Sequence, residues 1–429
     1  MTAAGHPASR RPAWWALAWL ALVLFGNYYV YDSIGPVSNL LGGDLGFSDT
    51  QIGALNAVYS APNIVLTLFG GWLIDRHGAG RVIVVLAGVC LLGALLTAVG
   101  SQYPVMIIGR LLFGVGSETM INATTVAVAY WFANRELAFA MAGAVAVARL
   151  GSFSADLSTS FASPLYTAGW QPPLMLAAGF AALSFGAALA YGVSERRGRR
   201  TGAVAAPAAT PMPGLQSLRT FPRAYWYLAV LGMTFYAVIF AFRSTFAIQY
   251  FQHAHGLTLA DAGAINSVVF LATVLATPLF GWLSDRIGRR APLLAAGALL
   301  LPASFLILGT TDWGLWISTG MVGACYALVP AVLWPATALV VPRERLGLAL
   351  GAMTVLQNIG TTTANIAAGA LNDAAGASAA NPAGYEPMLW FFGLLSLAGF
   401  ACALALCLDR RAPAAATLRR PAAGGFRGP

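Results

Sequence analysis

The chain of 429 residues contains no lysine, and only 9% of its residues are charged. Soluble domains carry roughly 25% charged residues. This chain cannot keep a surface of its size wet, which excludes a water-soluble enzyme or binding module. The four cysteines, Cys90, Cys325, Cys402 and Cys407, fall within apolar runs and show no paired spacing. They read as small packing residues, and neither a disulfide framework nor a metal centre is indicated. A phosphate-binding glycine loop, a His-Glu-x-x-His helix and a Gly-x-Ser-x-Gly elbow are all missing. No enzyme activity, cofactor, metal or ATP hydrolysis is therefore expected of this chain.

What the chain has in abundance is apolar length: 58% of its residues are hydrophobic, and its mean hydropathy is +0.71. A helix needs about 20 residues to cross the hydrocarbon of a bilayer. Twelve runs qualify, at 14–39, 49–74, 81–101, 104–131, 135–163, 170–194, 223–252, 258–284, 291–310, 313–341, 345–373 and 385–408. The expected fold is an all-α membrane protein with twelve transmembrane helices in two six-helix bundles. The lipid bilayer is its first partner.

The net charge of +9 would suit nucleic acid, so the position of the arginines decides. With alternating crossings, 21 of the 24 arginines fall on one side, the side of both termini. Only Arg110, Arg149 and Arg243 lie within helices. This is the positive-inside pattern. It places both termini in the cytoplasm and makes nucleic-acid binding unnecessary. The arginine- and alanine-rich composition suggests a bacterial inner membrane. Asn122-Ala123-Thr124, the one glycosylation triplet, falls inside a helix.

Two charged turns sit half a chain apart. Gly71-Trp72-Leu73-Ile74-Asp75-Arg76-His77-Gly78 recurs 210 residues later as Gly281-Trp282-Leu283-Ser284-Asp285-Arg286-Ile287-Gly288. The chain therefore divides into a tail (1–12), a first bundle (13–194), a cytoplasmic linker (195–222), a second bundle (223–410) and a disordered tail (411–429). Twelve helices in six plus six, with this turn after helices 2 and 8, resemble the major facilitator superfamily. The resemblance implies two bundles related by pseudo-two-fold symmetry, and Asp75, Arg76, Asp285 and Arg286 as a gate on the cytoplasmic side. The simpler alternative is a pair of membrane-boundary turns.

Charges inside lipid need a partner or a task. Counted back from the turn at Ala133, Glu118 is 15 residues away and Arg149 is 16, both about 23 Å deep. Arg110 and Asp156 are each 23 residues away, about 35 Å. Depth pairs Glu118 with Arg149 near mid-membrane, and Arg110 with Asp156 as a structural ion pair. The Glu118–Arg149 pair is either a permanent salt bridge or a site opened by cargo. In the second case Arg149 takes a carboxylate and Glu118 an ammonium, which favours amino acids or short peptides. Tyr28 shares a helix face with Asp32, and Tyr31 lies beside them. The 210-residue offset carries Asp32 to the neighbour of Arg243, which suggests an outer gate between Asp32 and Arg243. Gln357 and Asn358 offer amides suited to a peptide backbone, or to helix–helix contacts.

A narrower resemblance rests on Tyr59-Ser60-Ala61-Pro62-Asn63, Gly109 through Glu118, Ala148-Arg149-Leu150-Gly151-Ser152, Leu333-Trp334-Pro335 and Gln357-Asn358-Ile359-Gly360. These are similar to the lysosomal dipeptide carriers of the superfamily, which act as uniporters. The resemblance implies that Glu118 and Arg149 hold the peptide termini and that Trp334 lines the other half of the cavity. The expected function is a secondary transporter of a small zwitterion, a dipeptide first, working by alternating access. One rival is a proton-linked carrier of organic anions such as monocarboxylates, with Arg149 as the anion anchor and Glu118 or Asp156 as the proton site. Another is a membrane sensor on a transporter scaffold. Whether an accessory subunit joins it is not written in the sequence.

Overall fold

The computed structural model describes residues 10–132, 135–200, 215–308, 312–342, 345–409 and 413–419. The first apolar run folds as α1 (Arg10–Asp32) and α2 (Ile34–Leu45), broken at Ser33. Pro36 explains the break, because it has no N–H for the carbonyl of Asp32. Next come α3 (Asp49–Ser60) and α4 (Asn63–His77), separated at Pro62. Then follow α5 (Ala79–Val99), α6 (Tyr103–Trp131), α7 (Arg135–Phe161), the short α8 (Ser163–Thr167) and α9 (Gln171–Arg200).

The C-terminal half opens with α10 (Arg223–Val238), which passes through a π-helical stretch (Ile239–Phe246) into α11 (Ala247–His255). It continues as α12 (Leu259–Ile287), α13 (Arg290–Leu308), α14 (Asp312–Val340), α15 (Leu346–Ala375), α16 (Glu386–Leu408) and α17 (Pro413–Arg419).

Among the described residues, nine helices are long and apolar enough to cross a membrane, and the broken α3–α4 makes a tenth. The 27-residue α7 and 30-residue α15 have the length to cross and complete twelve. Leu275 is 70% exposed and Leu394 62%, a surface that only lipid can cover at low cost.

Contacts divide the chain into two units, and the division does not fall at mid-chain. One unit holds residues 1–33, 65–155 and 171–211; the other holds 34–64, 156–170 and 212–429. Thus α2, α3, α8 and the end of α7 pack among the C-terminal helices. Close backbone approach makes this possible. A Cβ on Gly53 of α3 would collide with the carbonyl of Asn365 on α15, and one on Gly35 would crowd the carbonyl of Ser244.

Two sequence expectations need correction. Residues 195–200 are not linker: α9 runs through Arg200, and Arg199 donates to Glu195 at 2.6 Å, one turn back. Charge there marks a paired helix end. Nor is all of 411–429 without structure: α17 buries Leu418, and Arg419 donates to the carbonyls of Cys407 and Asp409. Residues 201–214, 411–412 and 420–429 lie outside the described residues.

Candidate functional site

In the first unit, α1, α6 and α7 converge on Tyr28. Asn27 donates to Ser117 Oγ at 2.7 Å, which ties α1 to α6 one residue before Glu118. Gly151 lets α7 press on the backbone of Phe25, where any side chain would collide with the Phe25 carbonyl. Arg149 then lays its guanidinium 5.3 Å from the Tyr28 ring centroid, within cation–π range. Glu118 and Arg149 each lie one residue past the middle of their helices, and both are half-buried. Arg149 thus meets Tyr28, and Glu118 follows the residue that α1 holds. The structure adds an aromatic face under the arginine.

Arg110 sits elsewhere. It is 1% exposed, donates to the carbonyls of Val30 and Tyr31 at 3.1 and 3.2 Å, and lies 6.0 Å from the Tyr31 ring. Those carbonyls lie at the end of α1, where the Ser33 hydroxyl also donates to Val30 at 2.8 Å, so serine and arginine cap it together. Tyr31, at 4% exposed, packs with this arginine, and the adjacent Asp32 is 1% exposed.

Asp156 and Arg243, which the sequence assigns to other partners, also meet each other. Depth assigned Asp156 to Arg110, and the repeat offset assigned Arg243 to Asp32. In the structure Arg243 donates to the carboxylate of Asp156, with side chains 2% and 1% exposed. Residue counts give depth along a helix and say nothing of azimuth. Asp156, seven residues beyond Arg149, begins the part of α7 that belongs to the second unit. Arg243 also lies 3.9 Å from the Phe270 ring and donates to Ser244 Oγ at 3.1 Å.

The surroundings of Arg243 went unnoticed in the sequence. The π-helical stretch diverts backbone carbonyls from their helical partners. The carbonyl of Arg243 accepts from Asn266, and that of Ser244 accepts from Asn56, each at 3.2 Å. Asn56 also donates to Thr245 Oγ1 at 2.8 Å, which donates to Asn365 Oδ1 at 2.7 Å. The available signal was the rarity of asparagine in apolar helices.

The other proposed cargo contacts belong to the second unit. Trp334 is half-buried on α14, beside Pro335 and a turn from Pro330. Gln357 on α15 is 8% exposed, and its Nε2 is a buried donor with no hydrogen-bond acceptor. It packs beside Gly232, where a Cβ would stand 3.1 Å from it. Asn358 donates at 3.0 Å to the Thr354 carbonyl one turn earlier. The structure thus separates the two neighbouring amides: one donor is idle, and the other is spent on its own helix.

The duplicated turns repeat one side-chain contact. Arg76 lies 5.3 Å over Trp72, and Arg286 lies 5.1 Å over Trp282. Each turn closes on a glycine with positive φ, 83° at Gly78 and 68° at Gly288, the conformation that suits a residue without Cβ. Asp75 and Arg76 line a cavity of about 880 Å³ with Arg81, Glu195 and Arg199. The Asp285 side chain is 83% exposed and lies 3.8 Å from Arg290.

Known proteins bear out this architecture. Residues 20–251 and 237–427 match the profile of the Major Facilitator Superfamily. The lysosomal dipeptide transporter MFSD1 of Danio rerio is 30% identical over 84% of this chain and 80% of its own length. A probable sulfoacetate transporter, SauU of Cupriavidus necator, is 24% identical over 66% of this chain and 67% of its own. The crystal structure of the nucleoside transporter NupG superposes with a TM-score of 0.73 at 14% identity, covering 91% of this chain and 99% of that one. One scaffold thus accompanies three cargo chemistries. Twelve helix-length segments, a duplicated Asp-Arg turn and a profile that spans both halves agree: the chain belongs to the major facilitator superfamily of membrane transporters.

Proposed function

We propose that this transporter is a secondary carrier of dipeptides or similarly sized zwitterions, and that it works by alternating access. The observation that carries the reading is Arg149, held at mid-helix against Tyr28, with Glu118 at the middle of α6. An opposite pair of charges at that depth suits a cargo with a carboxylate at one end and an ammonium at the other. In the second unit, Gln357 of α15 keeps an idle amide donor, suited to a peptide carbonyl. Likeness to a dipeptide transporter over four-fifths of both chains supports the same cargo. The arginine distribution orients the duplicated turns toward the cytoplasm, and the buried Asp156–Arg243 pair then belongs to a gate on the opposite side.

Counterflow in proteoliposomes tests the proposal. Labelled Ala-Ala should exchange with internal Ala-Ala, and lactate should not compete. A second reading, an organic-anion carrier, draws on Arg149 alone and on the sulfoacetate relative. Exchange of lactate or sulfoacetate with no exchange of dipeptide would establish it instead.

A further inference from the structure

The turn that closes α4 and α12 occurs a third time. Gly369-Ala370-Leu371-Asn372-Asp373-Ala374-Ala375-Gly376 keeps the Gly-x-Leu-x-Asp-x-x-Gly frame of residues 71–78 and 281–288. Alanine replaces the tryptophan and the arginine, which hides the repeat from a search for charge. The backbone keeps it visible: Gly376 closes the turn at φ 61°, beside 83° at Gly78 and 68° at Gly288. Successive helices alternate direction, so α15 ends on the opposite side of the membrane from α12. An inverted repeat of three helices within each half predicts this relation, since it maps helix 8 onto helix 11.

This copy is seated on the start of another helix. Asp373 accepts from the backbone N–H groups of Asp49 and Thr50, both at 2.9 Å, and from the Thr50 hydroxyl. Those are the first two N–H groups of α3. The third, on Gln51, goes to Ser48 Oγ at 3.3 Å, and the N-cap N–H, on Ser48, goes back to Gln51 Oε1 at 3.0 Å. All four donors left over at that helix end are therefore satisfied, two of them by a carboxylate 324 residues away from Asp49 in sequence. Asp49 is itself held by Gln249 at 2.9 Å and by Asn372, inside the turn, at 2.8 Å. The first glycine of the frame is seated there too. A Cβ on Gly369 would collide with the Asp49 carbonyl, whereas one on Gly71 or Gly281 would meet open space.

We infer that Gly369–Gly376 is the latch of the arginine-poor end, built on the same plan as the two turns at the other end, with Asp373 as its positioning residue. Its carboxylate leaves the α3 N-terminus when the carrier opens to that side. Without an arginine at position 374 the contact depends on a helix end and not on an ion pair, so it releases without stranding a cation. The inference rests on the alternating-access reading.

The test is a spin-label distance measurement in nanodiscs. The labels sit at Gly43→Cys and Ala379→Cys, two exposed positions flanking the contact, with the four native cysteines replaced by alanine. Asp373→Ala should raise the ratio of long to short distances about tenfold, the scale of losing a charge-assisted contact at a helix end. Gly369→Ala, which keeps the carboxylate and favours the helix, should shift the ratio the same way. A ratio unchanged in both variants, where the parent shows two populations, overturns the latch and leaves alternating access standing. A single unchanging distance in parent and variants overturns both.

Discussion

Asp156 receives the guanidinium of Arg243 in a site where neither side chain is more than 2% exposed. The pair joins the end of α7 to the π-helical stretch between α10 and α11, and Phe270 covers it. Buried ion pairs of this kind are costly to break from one side, because the remaining charge has neither partner nor water. Arg243→Ala or Asp156→Ala should each cost roughly 3–5 kcal/mol. Asp156→Asn combined with Arg243→Gln should cost less than either single change. Thermal unfolding in detergent compares them. A double variant no more stable than the worse single one would show that the two residues are not coupled.

How far the sequence carried this picture varies with the question. Helix positions were legible because apolar length and arginine placement are both properties of the chain itself. The mid-helix positions of Glu118 and Arg149 were legible because the bounds of the two apolar runs fix them. Further partners were not. Arg110 also donates to the carbonyls of Val30 and Tyr31, and Asp156 also holds Arg243. Azimuth, the Pro36 break and the π-helical stretch decide that, and none follows from a residue count. Glu195–Arg200 looked like linker because a run of charge resembles a solvated one until its i, i+4 pairing is seen. Both the third turn and the asparagine network around Arg243 were hidden because they carry few charges.

The aromatic support of Arg149 can be measured by itself. Tyr28→Phe keeps a ring face and should leave cargo affinity nearly unchanged. Tyr28→Leu removes it and should weaken binding by about 0.5–2 kcal/mol, the range of a cation–π contact. Titration calorimetry with Ala-Ala reads the difference. Equal losses in both variants would assign the contribution to the hydroxyl.

Gln357 makes a two-sided prediction. Its Nε2 is a buried donor with no acceptor, and burying such a group unsatisfied costs about 1–3 kcal/mol. Gln357→Leu should therefore leave the cargo-free protein as stable as before, or more so, while lowering affinity for dipeptides. Thermal unfolding without and with Ala-Ala separates the two effects. A loss of stability without cargo would give the amide a structural role.

Gly151 sets the distance between α7 and α1. Gly151→Val would drive a side chain into the Phe25 carbonyl and move Arg149 away from Tyr28. We expect weaker cargo binding from this variant, whereas Gly143→Val, where a Cβ meets nothing within 4 Å, should bind as the parent does. Matching affinities for the two variants would mean that the α1–α7 contact does not position the site.

The central claim is that Glu118 and Arg149 hold the two charged ends of the cargo. Ligand-induced thermal stabilisation tests it most directly, with a panel of dipeptides, amino acids and organic acids applied to the parent, Glu118→Gln and Arg149→Gln. Binding to the folded state at a hundred times Kd stabilises by about 2.7 kcal/mol, well within reach of a melting curve. The account predicts that dipeptides stabilise the parent and that each variant loses the effect. Glu118→Gln should respond equally to Ala-Ala and its N-acetylated form, because it no longer recognises the ammonium. Stabilisation of both variants by the same dipeptides, to the same extent as the parent, would contradict it.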